Sequence, residues 1–107
     1  MKKEIPNSNY LYEIAAGDQK LINKLLNVIK TEFPEEKASF EANFKAKDFD
    51  KAAENVHKLK HKINIFGLQD GYEVAKRFEE ELRKGTYQSY LDFLAILVEI
   101  ETYLHTD

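Results

Sequence analysis

The side chains best suited to chemistry lie in one run, His57-Lys58-Leu59-Lys60-His61-Lys62-Ile63-Asn64-Ile65-Phe66-Gly67. An unperturbed imidazole titrates near ~6.5, so a ring nitrogen is a good nucleophile at neutral pH. Lys60 follows His57 by one helical turn and brings an ammonium to the same neighbourhood. Transfer of a phosphoryl group requires that charge on its oxygens be stabilised. A lysine supplies this without a bound metal, so the local chemistry allows a phosphohistidine at His57.

At ~100° per residue the apolar stripe of this helix centres near Val56 and Ile63. His57, His61 and Asn64 then share one flank, with Lys60 between that flank and the stripe. The Lys60 stem can lie on the apolar edge while its ammonium reaches toward the imidazole. Lys45, Lys47, Lys51, Lys58 and Lys62 add positive charge, offset in part by Asp48, Asp50 and Glu54. A helical histidine by itself is ordinarily a solvated side chain. The flank position together with Lys60 sets His57 apart, whereas His105, near the end of the chain, reads as surface.

A metal site is the rival reading. His57 and His61 are four residues apart on one face, and Glu54-x-x-His57 has the spacing used in di-iron bundles. Such bundles need that motif on two helices and further inward carboxylates. No second Glu-x-x-His occurs, so no resident metal or cofactor is expected, although Glu54, His57 and His61 remain the alternative ligand set.

The elements that position these residues are helices. The 107 residues suffice for one domain, read as spanning 1–107. Four glycines and two prolines are too few for a turn-rich β fold. Asp18 is a candidate N-cap, followed at helical spacing by Leu21, Ile22, Leu25, Val28, Ile29 and Phe33. Pro34 is expected to interrupt and to open a new short helix with Phe40 and Phe44 as its buried pair. Tyr10, Leu11 and Ile14 mark a short leading helix.

The central helix is predicted over residues 48–66, with Phe49, Ala52, Ala53, Val56, Leu59, Ile63 and Phe66 in one stripe. Gly67 and then Leu68 read as a glycine C-cap. Asp70 and Glu73 form a capping-box-like start for the next helix. There Val74, Ala75, Phe78 and Leu82 face inward, and Lys84-Gly85 ends it. The last helix, residues 87–104, is apolar over a wide arc through Leu91, Leu94, Leu97, Val98 and Ile100. Short connections between long helices make neighbours antiparallel. The expected fold is all-α, an antiparallel up-down four-helix bundle with one or two short additional helices.

Composition excludes several classes. The net charge of −3 argues against general nucleic-acid binding. No stretch approaches the ~18 apolar residues of a membrane span, so no membrane insertion is expected. The start, Met1-Lys2-Lys3-Glu4-Ile5-Pro6, lacks the apolar run of a signal peptide. Without cysteine there is no disulfide or thiolate chemistry. A cytoplasmic location is expected. No glycine-rich phosphate loop is present, so no kinase activity is expected.

The run His57-x-Leu59-Lys60, with Gly67 ten residues after the histidine, resembles the histidine-containing phosphotransfer (HPt) domains of bacterial-type phosphorelays. The resemblance covers almost the whole chain. Gly17-Asp18 and Phe33-Pro34-Glu35 resemble the start and end of the family's first long helix. Asp48 resembles the start of the histidine helix, and Phe78-Glu79 the apolar-acidic pair of the next.

The resemblance implies that His57 exchanges a phosphoryl group with an aspartate of a receiver domain. Lys60 would help to hold the phosphoryl oxygens, and Gly67 would be structural. Response-regulator receiver domains are the implied partners, with a hybrid sensor histidine kinase as a further one, and the receiver would bring the Mg²⁺. A monomeric phosphoryl carrier, not an enzyme with its own turnover, is expected. One departure stands out. The family usually has glycine directly after the lysine, and this chain has His61. Helical side chains lean toward the N-terminus, so His61 leans toward His57, where it would crowd a docking receiver or donate a hydrogen bond to phosphate. A bundle that docks without transferring is the third reading.

Overall fold

The computed structural model describes residues 4–105, and within them the secondary structure is helical throughout. The helices are α1 (Asn9–Ile14), α2 (Gln19–Lys45), α3 (Phe49–Ile65), α4 (Gln69–Arg83) and α5 (Tyr90–Leu104). Short turns join α2 through α5, so successive long helices run antiparallel. α3 packs against both α2 and α4. The all-α bundle expected from the sequence is therefore the fold found.

Pro34 does not break the chain into two helices. α2 continues through it for 27 residues, about 40 Å at 1.5 Å per residue, close to the 43 Å long axis of the molecule. An interior proline costs about 3 kcal/mol. Burial offsets that cost, because Phe33 and Phe40 on either side are fully enclosed and each contributes about 1.5–3 kcal/mol. Phe44 is only half-buried.

The core is aromatic where α2, α4 and α5 meet. The Phe40 ring centroid lies 5.9 Å from that of Phe78 and 5.4 Å from that of Phe93, both edge-on. This is the favourable geometry for rings with a negative face and a positive edge. α3 contributes Ala52, Ala53, Val56, Leu59 and Ile63, all fully buried and continued by Phe66. Two polar side chains of α3, Asn55 and Lys60, are enclosed with them. Asn55 accepts from Asn43 Nδ2 at 2.7 Å and donates to Glu36 at 2.5 Å and Ser39 at 3.2 Å. A satisfied polar network of this kind admits one register, and here it fixes α3 against α2.

Caps set the ends of α3. The Asp48 carboxylate accepts from Lys51 N at 3.3 Å. At the other end Gly67 N donates to Asn64 O and Leu68 N to Ile63 O, the Schellman pattern. Gly67 has φ +76°, and a Cβ there would come within 2.7 Å of Asn7 Nδ2. The glycine thus serves both the left-handed turn and the close passage of the N-terminal segment, whose Asn7 N donates to Phe66 O.

Three local expectations are corrected. α4 has no side-chain cap from Asp70 or Glu73; it begins at Gln69 behind Leu68, and Glu4 accepts from Gly71 N at 3.0 Å. A carboxylate distant in sequence does the capping. α5 begins at Tyr90, because Glu81 of α4 accepts from both Ser89 N and Ser89 Oγ and holds the preceding residues in a turn. Its buried face is Phe93, Leu97, Ile100 and Leu104, while Leu91 and Val98 are exposed. A helix apolar on nearly all sides has no period with which to choose its inner face.

Candidate functional site

His57 sits on α3 beside the buried stripe, with its side chain 50% exposed. Its Nδ1 lies 3.2 Å from both carboxylate oxygens of Glu79 on α4. Glu79 follows the fully buried Phe78, so packing of that ring aims the neighbouring carboxylate at α3. Two cations hold the same carboxylate. Lys60 Nζ donates to Oε1 at 3.1 Å, and the Arg83 guanidinium donates to Oε2 at 3.1 Å.

Burial by itself would raise the Glu79 carboxyl. Hydrogen bonds from Lys60, Arg83 and His57, with the charge of Lys60, outweigh it and hold the group below its ordinary value. Glu79 is therefore an anion at neutral pH, and an ionised carboxylate only accepts. The proton shared with His57 belongs to Nδ1, which leaves the lone pair of the neutral ring on Nε2.

The Lys60 stem lies at the edge of the apolar stripe, as the sequence reads it, but its ammonium does not go to the imidazole directly. Its side chain is 11% exposed, and the ammonium points to Glu79 and lies 5.6 Å from the centre of the Tyr72 ring. It reaches the imidazole through the shared carboxylate. The basic stretch is also less basic than its sequence. Lys58 pairs with Glu36 at 3.8 Å and Lys62 with Glu32 at 3.5 Å, both acids of α2.

His61 lies one turn beyond His57, and the two rings stand at 89°. Their Nε2 atoms are 3.4 Å apart, so His61 approaches the very nitrogen that carries the lone pair. Asn64 is exposed further along this flank and borders a shallow depression with Gln69, Asp70, Tyr72 and Glu73. Among the described residues, no group of three or more His, Asp or Glu side chains is placed to hold a metal ion, and no helix is long and apolar enough to cross a membrane.

Glu79, Arg83 and Tyr72 were absent from the candidate site read from the sequence. The i, i+4 spacing of Glu79 and Arg83 marks an ion pair. Nothing in that spacing says that the pair faces His57.

His57 is thus a half-exposed imidazole held by a largely enclosed carboxylate on the adjacent helix of a bundle. The family model described as Hpt domain matches residues 24–106. The chain belongs to the Hpt family, whose members are phosphocarrier modules of two-component phosphorelays and work with receiver domains and kinases. No curated protein and no solved structure matches it significantly.

Proposed function

We propose that His57 carries the phosphoryl group, accepting it from, or returning it to, an aspartate of a response-regulator receiver domain. The observation that carries this reading is the Nδ1 contact to Glu79, which leaves Nε2 as the nucleophile on a half-exposed ring. In transfer, Nε2 attacks the phosphorus of the aspartyl phosphate. The N–P bond forms, the P–O bond to the carboxyl group breaks, and the aspartate leaves as a carboxylate. The Nδ1 proton stays in place, and the Glu79 anion faces the cationic ring that results. The receiver contributes the Mg²⁺. Lys60 acts by charge from its seat on Glu79, and a hybrid sensor kinase is a further partner.

The test is incubation with phosphorylated receiver domains and Mg²⁺, followed by mapping of the transferred label. The adduct is expected at His57, acid-labile and base-stable as a phosphoramidate is. His57→Gln is expected to keep its helical spectrum and take no label. Label at His61 or His105, or full labelling of His57→Gln, would overturn the assignment. A docking module that does not transfer is the second reading, favoured by the 3.4 Å approach of His61 to Nε2. Absence of label from every receiver tested, with binding retained, would select it.

A further inference from the structure

We propose that His57 and His61 together form a chelating site for Zn²⁺ that competes for the phosphoacceptor nitrogen. The claim that the metal blocks transfer rests on His57 as phosphoacceptor; the claim that it binds does not. The two Nε2 atoms are 3.4 Å apart, longer than the 2.7–3.2 Å of a good hydrogen bond. Two imidazole nitrogens at about 2.0–2.1 Å from a tetrahedral zinc are separated by about 3.3–3.4 Å. A 90° pair at a square-planar ion would need about 2.9 Å. The long Nε2–Nε2 hydrogen bond has the bite of a tetrahedral chelate, which forms when the neutral His61 ring carries its proton on Nδ1.

Three further features favour a cation there. Both rings come from a single helix and are exposed, so binding needs no opening of the core. The Glu79 carboxylate sits on Nδ1 of His57, the carboxylate–histidine arrangement that fixes the tautomer and orientation of a metal-binding ring. The neighbouring cations are turned elsewhere: Lys60 and Arg83 to Glu79, Lys58 to Glu36 and Lys62 to Glu32. Water completes the coordination, as two protein ligands leave positions open. A lone pair given to zinc is not available to phosphorus, so bound Zn²⁺ and a phosphoryl group on Nε2 exclude one another.

The experiment titrates ZnCl₂ into the full chain without any phosphoryl donor, followed by calorimetry and by the imidazole ¹⁵N resonances. Saturation near one Zn²⁺ per chain is expected, with both Nε2 resonances shifting together. His57→Gln and His61→Gln should each weaken binding at least ~10-fold, and Glu79→Gln by ~10-fold or more, as loss of a supporting carboxylate does. Glu54→Gln and His105→Gln should leave binding unchanged. In transfer assays, Zn²⁺ should slow labelling of the wild type far more than that of His61→Gln, each relative to its own metal-free rate. No saturation, or binding unaffected by His61→Gln, would overturn the site. Binding through both histidines in a protein that takes no label would instead leave the site standing and remove the phosphotransfer reading.

Discussion

His57 and Glu79 stand on different helices, and the imidazole Nδ1 meets both carboxylate oxygens at 3.2 Å. Of the polar contacts at the site, this one selects which ring nitrogen is free. Glu79→Gln tests it, because an amide can donate where a carboxylate cannot. In the variant the proton is expected to shift toward Nε2 in part of the population. Transfer should slow by about 10-fold, less than the ~10²–10⁴-fold that a general acid–base group contributes, because the nucleophilic ring itself is retained. The ¹⁵N shifts of the His57 ring report the tautomer directly, and an unchanged tautomer with an unchanged rate would show that Glu79 only supports the fold.

The lowered Glu79 carboxyl also links stability to pH. Its folded value lies below the ordinary 4.5, so the unfolded chain binds the proton more readily as acid is added. The stabilisation is fully present above about pH 4.5 and is lost as pH falls through the folded value. Thermal melts of wild type and Glu79→Gln between pH 6 and 3 should therefore converge at the acidic end. A gap that stays constant across that range would place the stabilisation elsewhere.

Lys60→Ala removes a nearly buried ammonium and leaves Glu79 with one cation fewer. Removing a charge-stabilising donor costs ~10²–10³ in rate in enclosed sites. With His57 half exposed, about 10-fold is expected here. Lys60→Arg should lose less, since the charge remains. Equal single-turnover rates for wild type and Lys60→Ala would remove Lys60 from the transfer step.

For His61 two effects compete, bulk beside Nε2 and a hydrogen bond to the bound phosphoryl group. A surface hydrogen bond nets only about 1 kcal/mol, whereas bulk at 3.4 Å from the nucleophile can exclude a partner. His61→Gly should speed transfer from most non-cognate receivers and shorten the lifetime of phosphorylated His57. His61→Ala controls for the helix cost of glycine, about 1 kcal/mol. Slower transfer from every receiver would make His61 a working part of the site.

The sequence alone determined the elements whose signals are local. The buried stripe of α3 follows from its period, and Asp18, Asp48 and Gly67 mark ends because capping and left-handed turns depend on the adjacent residues. The position of His57 beside the stripe is legible for the same reason. Tertiary packing decided the rest. Pro34 stays helical because Phe33 and Phe40 are buried around it. α4 is capped by Glu4 from the far end of the chain, and the inner face of α5 is chosen by its neighbours. The partner of His57 also belongs to this second group. Glu79 lies 22 residues away, and only the packing of Phe78 in the core brings it to the imidazole. Local periodicity reports which face of a helix is apolar; it does not report which residue of the next helix will stand opposite.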